Sequence, residues 1–160
     1  MSKPTTTASA SALSEPATLR TDERPVRELL DELRYGTAIN FRERLAARLD
    51  RLLDAYKEDS QGKAFSAASL RGFISFLENA PGLQYPAVTI TRDGELYTSW
   101  KQAPDKVFSI QFMETGQARF VVFRPNPIHA GQSDQMHGLT TPDVLLDAIA
   151  HLGVLEWVAA

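Results

Sequence analysis

The chain has 160 residues, of which 43% are hydrophobic and 23% charged, a size and composition that suit one globular domain in water. Its formal net charge of −3 at pH 7 supplies no global positive field to draw it to nucleic acid. The sequence holds no cysteine, which excludes disulfides, thiolate metal sites and thiol nucleophiles.

Residues Met1 to Asp22 are rich in Ser, Thr and Ala. They offer too little apolar surface to offset the backbone entropy that ordering costs, so a flexible tail over 1–22 and a single domain over 23–160 are expected. The stretch lacks the Leu, Ile or Val core of a secretory signal, and Glu15, Asp22 and Glu23 argue against a transit peptide. No apolar run approaches the length that spans a bilayer. A cytoplasmic protein without membrane contact is expected.

Val26, Leu29, Leu30 and Leu33 then recur at helical spacing, with Gly36 as the stop of a first amphipathic helix. In a second helix Asn40 is the expected N-cap with Glu43 three residues on. Phe41, Leu45, Leu49, Leu52, Leu53 and Tyr56 form its apolar stripe, as far as about Glu58. Ser66 caps a third helix whose buried face is Leu70, Phe73, Ile74 and Leu77, and Pro81–Gly82 ends it.

The period next changes from helical to two. Val88 and Ile90 alternate with Thr89 and Thr91. Asp93–Gly94 predicts a two-residue primed turn, and Leu96, Thr98 and Trp100 alternate with Glu95, Tyr97 and Ser99 on the return. Phe108, Ile110 and Phe112 predict a third strand, and "ARFVVFR", Ala118 to Arg124, a fourth. The short connections predict an antiparallel meander of four strands, with helices over its apolar face.

The stretch "RPNPIHAGQSDQMHGLT" has two prolines early and two glycines later and reads as a long irregular loop. Thr141 as N-cap, Pro142 at the first position and Asp143 near the positive end open a C-terminal helix. Its inner stripe is Leu145, Ala148, Ile149 and Leu152, and Gly153 closes it. The remainder, "VLEWVAA", suits a short terminal strand or a packed coil. The expected fold is α+β: N-terminal helices, a four-stranded antiparallel β-meander, and a C-terminal helix packed on the sheet.

Candidate chemistry is sparse. The histidines are His129, His137 and His151. His129, Asp134 and His137 share the loop and are the candidate set for a metal or for acid–base work. Their spacing matches no metal motif, and loop histidines ordinarily bond locally or to water. A small metal-dependent or acid–base enzyme built on residues 126–137 is the alternative this set carries. An imidazolium at His151 would meet the negative end of the last helix favourably, a structural role. With no glycine-rich phosphate cradle and no nucleophile elbow, no catalytic residue is assigned and no cofactor is called for.

Two features point to binding. Arg44, Arg48 and Arg51 stand three and four apart on the second helix, a ridge suited to an acidic partner or a phosphate backbone. The simpler reading is a solvated face balanced by Asp50 and Asp54. A nucleic-acid-associated accessory protein is the alternative that the ridge carries. Tyr97, Trp100, Phe123 and Trp157 exceed what the inner face of a small sheet requires. On an outer face they would anchor a protein partner, and packing against the last helix accounts for them equally well.

The run from Leu70 to Phe123, with "FLENAPGLQYPAVTITRDGELYTSW" followed by "VFSIQFMETGQARFVVF", resembles small antitoxin-like or immunity-like accessory proteins of bacterial mobile elements. The likeness covers about a third of the chain and rests on the order helix, Pro, strand, Asp-Gly, strand, Trp. It implies a bacterial, non-catalytic partner of a neighbouring toxin or nuclease, and no functional residue travels with it. The expected function is a protein-interaction module that binds an effector protein encoded nearby.

Overall fold

The computed structural model describes residues 23–59 and 63–159; the tail expected over 1–22 lies outside them. Helices α1 (Glu23–Tyr35), α2 (Arg42–Asp59) and α3 (Ala67–Glu78) come first. Strands β1 (Ala87–Ile90), β2 (Leu96–Ala103), β3 (Lys106–Phe112), β4 (Ala118–Pro125) and β5 (Ser133–Thr140) follow, then α4 (Pro142–His151) and the single turn α5 (Leu155–Val158). The strands lie in the order β1-β2-β3-β4-β5, each antiparallel to its neighbours. The chain is α+β with an antiparallel sheet and helices before and after it, and the sheet has five strands where the sequence predicts four.

The fifth strand replaces most of the expected loop. Asn126 N–H donates to Gln132 C=O (2.8 Å) and Gln132 N–H to His129 C=O (3.2 Å), closing a tight turn. Ser133–Thr140 then pair with β4 without a register shift. "SDQMHGLT" hides a strand because it lies at the edge and its inward positions are Asp134, Met136, Gly138 and Thr140, a weak apolar period. Its partner strand compensates. The Phe120 ring lies over Gly138, where a β-carbon would sit 2.9 Å from that ring.

The β1–β2 turn also differs from expectation. Gly94 N–H donates to Thr91 C=O (3.0 Å) and Thr91 N–H to Glu95 C=O (2.8 Å). Gly94 has φ of 81°, whereas among the described residues no residue other than glycine has a positive φ. This is a type I turn closed by a glycine bulge, so Asp93 needs no left-handed backbone. The Met113–Gln117 turn repeats the device with Gly116. Gly94 is buried as well: its C=O accepts from Ser66 N–H at 2.8 Å, and a β-carbon on it would lie 2.6 Å from the Ala64 carbonyl oxygen.

Caps follow the sequence at two helices. Ser66 Oγ accepts from Ser69 N–H at 3.1 Å, opening α3, and Thr141 Oγ1 accepts from Val144 N–H at 3.5 Å, opening α4. Helix α2 begins at Arg42 rather than directly after Asn40. The C-terminal stretch is neither strand nor coil but the turn α5, after which Ala159 bridges to Leu83. Trp100 Nε1–H donates to Gln84 C=O at 2.7 Å, tying that segment to β2.

The core lies on one face of the sheet. Leu96, Thr98, Trp100, Phe108, Ile110, Phe112, Ala118 and Val122 point into it and are buried, beneath Leu70, Phe73, Phe76 and Leu77 of α3. A single hydroxyl sets the helix on the sheet. Ser69 Oγ donates to Phe112 C=O (2.5 Å) and accepts from Leu96 N–H (2.8 Å). Leu96 and Phe112 are cross-strand partners, so this one side chain fixes α3 to both β2 and β3.

Ser69→Ala strands a buried donor and a buried acceptor and is expected to cost roughly 1–3 kcal/mol in urea unfolding; a loss under about 0.5 kcal/mol contradicts the bridge. Gly94→Ala is expected to lower the unfolding midpoint more than Gly116→Ala. Both positions have positive φ, but nothing lies within 4 Å of a β-carbon at Gly116, so equal losses would contradict the contact with Ala64.

Candidate functional site

Strand alternation gives the sheet a second face, which no helix among the described residues covers. The pairing sets three rows across it: Tyr97–Gln111–Arg119–Leu139, Ser99–Ser109–Val121–His137 and Lys101–Val107–Phe123–Gln135. From β2 to β5 this surface is about 14 Å wide, three strand spacings. Tyr97 is 39% exposed, Phe123 37% and Leu139 50%, while Ser109 is buried.

The exposed charge of this face is basic. Its strand positions carry Lys101, Arg119 and His137 and no carboxylate. Glu95, at the rim just before β2, is buried. Its Oε1 accepts from Gln111 Nε2 (2.7 Å) and its Oε2 from Glu114 N–H (2.6 Å), so both oxygens are satisfied inside the fold.

The four aromatic candidates divide. Tyr97 and Phe123 lie on the bare face, whereas Trp100 and Trp157 are core residues, 4% and 8% exposed. The structure adds Leu139, Val121, Arg119 and Lys101 to that face. Val121 shares the alternation of Phe123 and was legible from it; Leu139 needed β5 to be recognised as a strand.

The arginine ridge is partly taken up by the fold. Arg44 places its guanidinium 3.8 Å over the Tyr85 ring, which is itself edge-on to Phe41. Arg48 Nη2 donates to Val88 C=O at 3.4 Å, against the outer side of β1. Arg51 is exposed. Asp50 pairs with Arg34 of α1 at 2.6 Å, so it joins two helices rather than balancing the ridge.

The three loop candidates do not converge. Asp134 and His137 are three apart on β5 and so project from opposite faces. Asp134 Oδ1 accepts from Asn126 Nδ2 (2.8 Å), and its Oδ2 lies 4.0 Å from Arg124 Nε. His129 is exposed in the turn, its backbone N–H donating to Asn126 Oδ1 at 2.7 Å. Among the described residues no group of three or more His, Cys, Asp or Glu is placed to hold a metal ion. His151 Nδ1 lies 2.7 Å from Asp147 C=O in the last turn of α4. An open groove of about 690 Å³ runs between α2 and β1, lined by Leu52, Tyr56, Ile90 and Arg92 among others. Among the described residues no helix is long and apolar enough to cross a membrane.

Comparison of the chain with protein-family models, with curated proteins and with solved structures finds no match.

The placement of the arginines is testable by stability alone. Arg44→Ala removes the stack on Tyr85 and is expected to cost about 0.5–1 kcal/mol, while Arg51→Ala stays within about 0.5 kcal/mol of the parent. Chemical denaturation of the two variants side by side reads the difference, and equal effects contradict the assignment.

Proposed function

We propose that this protein is a non-catalytic interaction module, an antitoxin-like or immunity-like partner of a bacterial effector protein, and that it binds through the bare face of the sheet. The observation that carries this reading is a sheet face, uncovered by any helix among the described residues, that combines exposed Tyr97, Phe123 and Leu139 with Lys101 and Arg119. Exposed aromatic side chains interspersed with basic and polar ones are the composition of an interface. The exposed cations select the partner: an apolar patch ringed by carboxylates, whose attraction to Lys101 and Arg119 speeds encounter and orients docking.

The test is purification of the tagged chain from its native host. A stoichiometric effector is expected with the parent and with Arg51→Glu. Its affinity is expected to fall at least tenfold, about 1.4 kcal/mol, in the Tyr97→Glu, Phe123→Glu double variant. Both substitutions lie at exposed positions, so an unchanged circular dichroism spectrum confirms that the fold is kept. An effector held equally by the double variant, or no stoichiometric protein with the parent, overturns the proposal.

A further inference from the structure

We infer that β5 is the seam of a two-fold dimer, in which the β5 strands of two copies pair antiparallel and join two sheets into one. This goes beyond the reading above and does not depend on it, because the seam is made by the backbone of the edge strand and shares with the bare face only the side chains of β5, Gln135, His137 and Leu139.

The two edges of the sheet are treated differently. β1 has four residues, α2 lies alongside it, and Arg48 donates to its outward Val88 carbonyl. β5 has eight residues in unbroken register. It has no lysine, no proline and no bulge, and its one inward charge, Asp134, is already engaged within the fold by Asn126 and Arg124, so little keeps this edge from pairing.

The direction of its backbone groups follows from the β4–β5 turn. Asn126 and Gln132 are hydrogen-bonded, and in an antiparallel ladder bonded pairs alternate with unbonded ones. The bonded pairs are therefore Arg124/Asp134, Val122/Met136, Phe120/Gly138 and Ala118/Thr140. Pro125, which has no N–H, falls opposite Ser133 in an unbonded pair, as this phase requires. Ser133, Gln135, His137 and Leu139 thus turn both N–H and C=O outward. Among the described residues none of these groups has a hydrogen-bond partner.

This row complements itself. Centred on Met136, antiparallel pairing sets Ser133 opposite Leu139 of the second copy and Gln135 opposite its His137. All four outward residues of each copy then bond, giving about eight backbone hydrogen bonds, two for each of four pairs. The ionisable side chains of β5 are Asp134 and His137; in this register they oppose Gly138 and Gln135, so no like charges meet. Centring on His137 would instead oppose two imidazoles. Apolar surface gathers at the same place. Ile128, 81% exposed, lies in the turn before β5, Leu139 within it, and Val144, 55% exposed, just after it. Antiparallel pairing brings the Ile128 end of each copy to the Val144 end of the other.

A seam of this kind is smaller than the standard interface of about 1,600 Å², so the dimer is expected to be reversible, dissociating in roughly the micromolar range. Sedimentation equilibrium on the full chain is expected to show a concentration-dependent dimer. Gln135→Lys with Leu139→Lys is expected to shift it to monomer with unchanged circular dichroism. The chain has no cysteine, so register can be read by single substitutions. At the centre the two Met136 Cα atoms are about 4.5 Å apart, within disulfide reach. Mild oxidation of Met136→Cys is expected to give a covalent dimer, and Gln102→Cys to give none. A monomer up to the millimolar range, a dimer that survives both lysines, or equal cross-linking at Gln102→Cys overturns the inference. Cross-linking at His137→Cys in place of Met136→Cys overturns the register.

Discussion

Phe73 and Phe76 of α3 meet Trp100, Phe108 and Phe112 of the sheet in one aromatic cluster, with ring centroids 5.4–6.2 Å apart. Rings of this size bury large areas and hold preferred tilted or offset contacts, so the cluster decides which face of the sheet is inside. Ser69 then locks the helix in rotation, because its hydroxyl reaches one strand as acceptor and the next as donor. Everything else about the surface follows from that choice. With the aromatics of β2 and β3 facing α3, their alternating partners must face the other way, and the described chain supplies no helix to cover them.

That geometry reassigns the residues that stand out in the sequence. The arginines of α2 look like a ridge for an external anion when only spacing is considered. In the fold, Arg44 rests on Tyr85 and Arg48 reaches Val88, so two of the three guanidinium groups help seat α2 beside β1. The aromatics divide by parity: Trp100 is even on β2 and goes inward, Tyr97 is odd and goes outward. A surface that is basic and aromatic, on a chain of net charge −3, is a local departure from the average, and local departures of this kind direct association. The same parity separates Asp134 from His137, which a linear reading groups together.

How far the fold was legible depends on how each element signals. The helices and β1 to β4 carry strong apolar periods, and Ser66 and Thr141 cap where the sequence places them, because capping and periodicity are local properties. β5 was not legible: its inward side chains include Asp134 and Gly138, and what holds it is the full-length ladder to β4 and the Phe120 ring over Gly138, both non-local. The Asp93–Gly94 turn shows a finer limit. The pair announces a hairpin, but which turn type forms is set by the buried packing of Gly94 under Ala64 and Ser66. Of the candidate site, Tyr97 and Phe123 were legible as aromatics, and their sharing of one bare face with Leu139 was not, since that requires the register of three strand pairs.

The central claim is that one face of this sheet is uncovered in solution. Nuclear magnetic resonance with a soluble paramagnetic relaxation agent measures that directly. Signals from the side chains of Tyr97, Phe123 and Leu139 are predicted to be strongly broadened, while those of Phe108, Ile110 and Phe112 stay sharp. Protection of Tyr97, Phe123 and Leu139 to the same degree as the core would mean that something already covers the face, and would contradict the account.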